Sequence, residues 1–149
     1  MAVGRDGAVR PLTQQELDTP EFARLIWLAS GAGTEKLKRL IRDVPSEYLV
    51  HGVIVGERVV AFVAFDPDTD PVVIRYIAVE EDSQHRGLGG ALVAAVTQRA
   101  TGRSVYAETD DDAVEFYRRS DFRVVAKPRD PCWPERQRYG CVLPSASRI

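Results

Sequence analysis

The segment from Gln84 to Ala91 has the composition of an anion-binding turn. Its sequence is Gln-His-Arg-Gly-Leu-Gly-Gly-Ala, and it separates a strand-like run from a helix-like run. Amides at the start of a helix point outward where the helix dipole is positive, and glycine lets a phosphate approach the backbone. Arg86 adds a cationic donor. The segment therefore predicts a phosphate site; the other interpretation is that its glycines only permit close helix packing.

Two common nucleotide motifs do not fit this turn. A P-loop requires Lys and then Ser or Thr after its last glycine, but Ala91 and Leu92 follow here. A dinucleotide fingerprint requires a third glycine where Leu92 stands, and its first glycine should follow the strand directly. Seven residues separate Val79 from Gly87. Although Glu108 lies near the distance expected for a ribose-binding acid, the spacing argues against this second motif as well.

The elements that position the turn follow from hydrophobic periodicity. Apolar runs bounded by Gly, Pro and Asp predict strands, and apolar residues three and four apart predict helices. The Gly56-Glu57 pair predicts a hairpin turn. The predicted strands are 8–12, 48–55, 58–65, 72–79, 104–109, 122–127 and 136–143, and the predicted helices are 20–30, 34–44, 87–100 and 111–120. A mixed α/β chain follows, compatible with one central sheet flanked by helices.

Composition sets broad limits on function. The chain has 149 residues, of which 44% are hydrophobic, and this suits one domain spanning 1–149. Its 20 basic and 22 acidic residues leave a formal charge of -2, so we expect no nucleic-acid partner. No apolar stretch approaches the roughly 20 residues that cross a bilayer, so we expect no membrane partner. Cys132 and Cys141 are too few for a disulfide or metal framework, so we expect no metal, reduced thiols and a cytoplasmic location.

Two ordered motifs in this chain resemble a known family. They are Gln84-x-x-Gly87-x-Gly89 and Asp110-x-x-Ala113-x-x-x-Tyr117-x-x-x-Asp121-Phe122. Together they resemble the motifs of the GNAT N-acetyltransferase superfamily, Gln/Arg-x-x-Gly-x-Gly/Ala and Asn-x-x-Ala-x-x-x-Tyr-x-x-x-Gly-Phe. The resemblance covers the whole chain in element order and is specific from Val72 to Phe122.

Two positions depart from the family pattern. Asp121 replaces the glycine before Phe122, and Asp110 replaces asparagine. Aspartate is among the few non-glycine residues that tolerate a left-handed helix terminus, so Asp121 is compatible with the motif. Asp110 retains a side chain that can cap the last helix.

The resemblance implies an α/β (α+β) fold, with a central mixed, mostly antiparallel sheet of about seven strands flanked by about four helices. Strands 72–79 and 104–109 would splay apart to admit the pantetheine arm of acetyl-CoA, the acetyl donor. The backbone of Ile77 and Val79 would pair with the arm as an added strand does. The implied cofactor-binding residues are Ile77, Ala78, Val79, Gln84, His85, Arg86, Gly87, Leu88, Gly89, Gly90, Ala91, Asp110, Ala113, Phe116 and Tyr117.

The resemblance also implies the catalytic groups. Tyr117 stands at the family's proton donor, and a phenol with a pKa of about 10 can protonate a departing thiolate. A core aromatic with a satisfied hydroxyl is the alternative interpretation. No carboxylate lies in the middle of strand 72–79, where Arg75 and Tyr76 stand instead. Glu108 is therefore the first candidate for the general base and Glu80 the second, and a water chain without a single base is left open.

The predicted function is an acetyl-CoA-dependent N-acetyltransferase that transfers an acetyl group to a primary amine of a small molecule or peptide by direct attack. A non-catalytic acyl-CoA sensor or interaction domain is the alternative. The sequence does not identify the acceptor, and it leaves a homodimer open. A rim of acidic residues could attract a cationic amine, and its members are Asp66, Asp68, Asp70, Glu80, Glu81, Asp82, Glu108, Asp110, Asp111 and Asp112.

Overall fold

A computed structural model describes residues 8–84, 86–132, 135 and 137–145. Its strands are β1 (Val9–Pro11), β2 (Leu49–Val55), β3 (Arg58–Asp66), β4 (Val72–Val79), β5 (Val105–Asp110), β6 (Arg123–Ala126) and β7 (Arg138–Leu143). These seven strands form one sheet in the order β1-β2-β3-β4-β5-β7-β6. Neighbouring strands are antiparallel except β4 and β5, which run parallel. The expected mixed, mostly antiparallel sheet of about seven strands is confirmed.

The described residues form five helices, one more than expected. They are α1 (Gln14–Leu17), α2 (Pro20–Ser30), α3 (Thr34–Glu47), α4 (Leu88–Ala100) and α5 (Val114–Arg119), and a short 3₁₀ turn covers Glu81–Ser83. The sequence did not predict α1, because four residues are too few to show a helical period. A capping box starts it, in which the Thr13 hydroxyl accepts from the Glu16 amide and the Glu16 carboxylate accepts from the Thr13 amide. No described helix is long and apolar enough to cross a membrane.

Two helix boundaries differ from the prediction. We expected α3 to end before Pro45, yet it continues to Glu47. Proline removes one backbone donor, but the Tyr48 amide still donates to the Val44 carbonyl at 3.0 Å, so the last turn persists. We expected α5 to begin at Asp111, but it begins at Val114, after a turn that starts at Asp110.

Helices cover both faces of the sheet and bury two core clusters. On one face, α2 and α3 pack on β2, β3 and β4. From α2, Phe22, Leu25 and Ile26 are each at most 2% exposed, and burying one such side chain contributes about 1.5–3 kcal/mol. On the other face, α4 packs mainly on β3 and β4, and α5 packs on β6. Because the strand order places β4 and β5 in the middle of the sheet, the candidate site between them lies between these two helical layers.

Candidate active site

Strands β4 and β5 separate halfway along their length. They pair only from Val72 opposite Val105 to Ile74 opposite Ala107. Opposite β3, Phe65 pairs with Ile74 and Ala64 with Tyr76, so Arg75 is an extra, bulged residue of β4. A bulge bends its strand and increases its twist, which moves the rest of β4 away from β5. We call the opening beyond Ile74 and Ala107 the fork; it agrees with the splay that the sequence led us to expect.

The backbone of Ile77 and Val79 faces the fork. The Glu80 amide donates to the Val60 carbonyl at 2.8 Å. Because hydrogen-bonded pairs alternate along an antiparallel ladder, Ala78 and Tyr76 also direct their backbone groups to β3. Ile77 and Val79 then direct theirs to the opposite edge, and the Val79 carbonyl there accepts from Gln84 Nε2 at 3.1 Å. The backbone groups of Ile77 and Val79 can therefore pair with an extended ligand. Those of Ala78 cannot, because they are bonded to β3.

Helix α4 begins beyond the end of β4 and presents uncapped amides. Gly87 has a φ of 79°, a left-handed conformation that favours glycine, and its carbonyl accepts the first helical bond from the Ala91 amide at 3.0 Å. No described side chain caps the amides of Leu88, Gly89 and Gly90, and the first turn contains no acid. These donors fit an anion. The predicted site residue His85 lies outside the described residues, and the neighbouring Arg86 is exposed.

The three glycines of the turn differ in role. Gly87 is required by its left-handed backbone. A Cβ on Gly89 would lie 2.6 Å from Cε1 of Phe116, so this glycine permits close contact between α4 and α5. A Cβ on Gly90 would meet nothing within 4 Å. The packing interpretation of the glycines therefore holds at Gly89, while Gly87 shapes the start of the helix.

Tyr117 lies in the core with its hydroxyl accessible. The residue is 3% exposed, and its ring makes edge contacts with Phe116 at 5.0 Å and Phe122 at 5.1 Å. No described hydrogen bond involves its hydroxyl, and no described buried side-chain oxygen lacks a partner. The small exposed part of Tyr117 must therefore include the hydroxyl. Burial raises the pKa of Tyr117, with a smaller contribution from Cys141, so the phenol is protonated at neutral pH.

The ends of α5 explain why the two departures from the family pattern are tolerated. Asp121 has a φ of 72°, as a left-handed terminus requires, and the Phe122 amide donates back to the Tyr117 carbonyl at 3.1 Å. Before the helix, the Asp110 carboxylate accepts from the Asp112 amide at 3.0 Å. Asp110 thus stabilises the turn that leads into α5 rather than capping the helix itself, whose N-cap is Ala113.

Glu108 follows Ala107, the last residue of β5 that pairs with β4, and points to the sheet face opposite Tyr117. Its neighbours Ala107 and Thr109 are buried on the other side, whereas Glu108 is exposed. Its carboxylate accepts from Lys127 Nζ at 2.7 Å and from the Tyr106 hydroxyl at 2.9 Å. These bonds, the one from Lys127 first, lower the pKa of Glu108. The sequence did not predict Lys127 as a partner, because Lys127 follows β6, which is remote from β5 in the chain.

Glu80, the second base candidate, and His51, a further titratable residue of the sheet, are engaged elsewhere. Glu80 Oε2 lies 2.6 Å from Nη2 of Arg58. His51 packs edge-on against Phe65 with ring centroids 5.3 Å apart, and burial lowers its pKa. None of these contacts directs either side chain into the fork.

The acidic residues predicted to form one rim are divided between the two ends of the strands. Asp66 ends β3 beside the start of β4, whereas Glu80 and Asp110 follow or end the parallel strands β4 and β5. Strand β4 has eight residues, so the two ends of the strands lie roughly 25 Å apart. The expectation of a single rim was therefore wrong, and Asp66, Asp68 and Asp70 lie away from the open end of the fork.

The sequence matches one known protein family. A sequence model of the acetyltransferase (GNAT) family matches residues 12–122. No protein with a curated function matches the sequence.

Solved structures share the whole fold at low identity. An aminoglycoside 6'-N-acetyltransferase complexed with coenzyme A is 12% identical, with a TM-score of 0.77 over 95% of this chain and 98% of that one. The ribosomal-protein-S18-alanine N-acetyltransferase from Escherichia coli is 18% identical, with a TM-score of 0.71 over 95% and 96%. A GNAT family acetyltransferase from Elizabethkingia anophelis with acetyl-CoA bound is 18% identical, with a TM-score of 0.70 over 92% and 97%. These similarities establish the fold.

Proposed function

We propose that residues 1–149 form one domain whose active site is the fork, since this chain belongs to the acetyltransferase (GNAT) family. The chain is an acetyl-CoA-dependent N-acetyltransferase. The acceptor is a primary amine of a small molecule or peptide. The observation that carries this proposal is the fork itself. Its free backbone edge leads to the uncapped start of α4, and the residues at its base, Ile74 and Ala107, belong to the same core cluster as Tyr117. A cytoplasmic location is part of the proposal and is supported by the free thiols of Cys132 and Cys141.

The described residues fit acetyl-CoA along its length. The edge groups of Ile77 and Val79 can bond the amides of the pantetheine arm, with the Gln84 amide exchanging its bond to Val79 for one to the ligand. The amides of Leu88, Gly89 and Gly90 can hold the pyrophosphate, with Arg86 beside them. When bound, acetyl-CoA supplies the thioester whose acetyl group passes to the amine.

Tyr117 acts on the departing sulfur in this proposal. As the C–S bond breaks, its hydroxyl donates a hydrogen bond and then its proton to the thiolate. A raised pKa makes a phenol a weaker acid, yet the same environment makes a thiolate a stronger base: burial also raises the pKa of Cys141, a thiol in the core cluster of Tyr117. The two shifts have the same direction, so burial of both groups opposes the proton transfer less than burial of the phenol alone would.

The general base is supplied by water in this proposal. Glu108 already accepts from Lys127 and Tyr106, and its lowered pKa makes it a poor acceptor for the proton of an ammonium group. Glu80 is paired with Arg58. Solvent at the open face of the fork can instead take the proton before the neutral amine attacks.

The Tyr117→Phe variant tests the proposal. We expect acetyl-CoA affinity to change by less than about threefold, because the ring contacts are retained. We expect the rate of thiol release with an amine acceptor to fall by about 100-fold, the usual contribution of a positioned acid. Tyr139→Phe is the matched control, since its hydroxyl bonds Asp111 outside the fork; its rate should stay within about threefold of wild type.

The acceptors in this test are amino acids, polyamines, aminoglycosides and peptides with free N-termini. Free thiol is followed optically, and acetyl-CoA binding is measured by calorimetry. A Tyr117→Phe variant with the wild-type rate would refute the acid assignment. Binding of acetyl-CoA without turnover of any amine would instead support a non-catalytic acyl-CoA-binding domain.

A further inference from the structure

Arg75 lies where β4 and β5 part. It is the bulged residue that follows Ile74, the last residue of β4 paired with β5, and Glu108 follows the corresponding residue of β5. Arg75 and Glu108 are both exposed and flank the base of the fork. A ligand anchored at the start of α4 and extended along Val79 and Ile77 has its far end here. Given the proposed function, Arg75 is therefore beside the thioester.

The guanidinium of Arg75 has no acidic partner in the part of the chain that the structure describes. Among the described residues no ion pair involves Arg75, whereas Arg58 pairs with Glu80 and Lys127 with Glu108. Its contact is with an aromatic ring, since its Cζ lies 5.8 Å from the ring centroid of Tyr48. Stacking on the ring face limits the positions of the side chain and leaves its N–H donors at the edges free.

The charges around the base of the fork are predominantly positive. Glu108 is the acid there, and it is met by Lys127 at 2.7 Å and Arg138 at 3.9 Å. Arg75 adds a third cation on the β4 side of the fork, where Glu47 is the acid that acts on the neighbouring Tyr76, so three cations stand against two carboxylates. A cationic substrate would meet net repulsion at this position, and an anionic group would meet attraction.

The same face of the sheet is accessible. Helices α2 and α3 pack on β2, β3 and β4, while α4 and α5 occupy the opposite face. On the β5, β7 and β6 side, Val125 of β6 is 67% exposed. An acceptor can therefore approach the fork across β5 without displacing a described helix.

We propose that the acceptor is an amine that also carries an anionic group, a carboxylate or a phosphate, and that Arg75 binds this group and so determines specificity. This inference rests on the proposed N-acetyltransferase function. A guanidinium binds such oxyanions through two parallel hydrogen bonds.

The test compares acceptors that differ only in their anionic group. α-Amino acids are compared with their α-amides, and O-phosphoethanolamine with ethanolamine. The first comparison is demanding, because an amino acid amide has the more acidic ammonium group and so the larger neutral fraction. We expect wild type to prefer the anionic member of at least one pair by about tenfold or more in kcat/KM, and the preferred pair identifies carboxylate or phosphate.

Variants of Arg75 assign the preference to its side chain. Arg75→Gln should lower kcat/KM for the anionic member by about 10- to 100-fold, the loss of one charge-assisted pair, and change the neutral member by less than about threefold. Arg75→Lys should restore part of the loss. Arg39→Gln, an exposed arginine of α3, is the matched control and should behave as wild type. Thermal midpoints of all variants establish that they are folded.

Two outcomes would overturn the inference while leaving the acetyltransferase function intact. One is an equal loss for both members of each pair in Arg75→Gln. The other is a wild-type preference for polyamines or aminoglycosides that Arg75→Gln does not alter. If no amine is acetylated at all, calorimetry with coenzyme A present can compare the affinities for N-acetylglycine and N-acetylglycinamide. Equal affinities in wild type would refute the role of Arg75. A preference for N-acetylglycine that is lost in Arg75→Gln would support it.

Discussion

The contact between Gly89 and Phe116 makes a quantitative prediction about the packing of α4 on α5. In Gly89→Ala, the new methyl group would begin 2.6 Å from Cε1 of Phe116. Carbon atoms prefer a separation of about 3.5–4.0 Å, so the ring must move by about 1 Å. Phe116 also contacts the ring of Tyr117, and its displacement therefore reaches the proposed acid.

The adjacent Gly90 provides a control for helix propensity. Alanine gains up to about 1 kcal/mol over glycine inside a helix, and this gain is similar for Gly89→Ala and Gly90→Ala because both lie in the first turn of α4. Only Gly89→Ala also incurs the overpacking cost of about 1–3 kcal/mol. We therefore expect Gly89→Ala to be less stable than Gly90→Ala by about 1–3 kcal/mol, or roughly 3–9 °C in thermal midpoint for a chain of this size.

Urea denaturation of both variants and of wild type measures the difference. The double variant Gly89→Ala/Phe116→Leu removes the ring that the methyl group meets, and it should recover at least about 1 kcal/mol relative to the sum of the single effects. A Gly89→Ala variant as stable as Gly90→Ala would refute the close contact. Destabilisation that Phe116→Leu does not relieve would place its cause elsewhere.

Two further predictions concern stability. Asp121→Gly should relieve the left-handed backbone and raise the free energy of unfolding by roughly 0.5–1 kcal/mol, whereas Asp121→Val should lower it; urea denaturation distinguishes the two directions. The hydrogen bond from Arg10 lowers the pKa of Glu16 to about 2. The ionised carboxylate therefore contributes fully to the free energy of unfolding above the unfolded pKa of about 4.3, and this contribution is lost as pH falls towards about 2. Glu16→Gln should therefore cost about 1 kcal/mol at pH 7, after allowance for the exposure of Arg10, and approach wild type at pH 3; a cost that does not vary with pH would refute the ion-pair account.

Local patterns in the sequence determined the elements of the fold. Strand β4 follows from one continuous apolar run, and the hairpin of β2 and β3 from the Gly56-Glu57 pair, both of which adopt positive φ. The left-handed end of α5 was predictable from Asp121 because its backbone requirement is a property of one residue. The glycine turn indicated an anion site for the same reason, since helix amides are a local feature.

The geometry of the site depends on contacts between residues that are distant in the chain. A bulge at Arg75 is defined only by the register of β4 against β3, and that register decides which backbone groups face the fork. The sequence suggested Glu108 as a base, but Lys127 and Arg138, brought beside it by β6 and β7, make it an ion-pair partner instead.

The sequence alone thus determined the strands, four of the five described helices and the two motifs, because each depends on the preferences of a few consecutive residues. The tertiary structure decided which face of the sheet each side chain occupies and which charges meet there. Strand pairing sets both, and pairing joins segments whose separation in sequence carries no local signal. That is why Tyr117 and the glycine turn could be named from the sequence, whereas the position of Arg75 at the base of the fork could not.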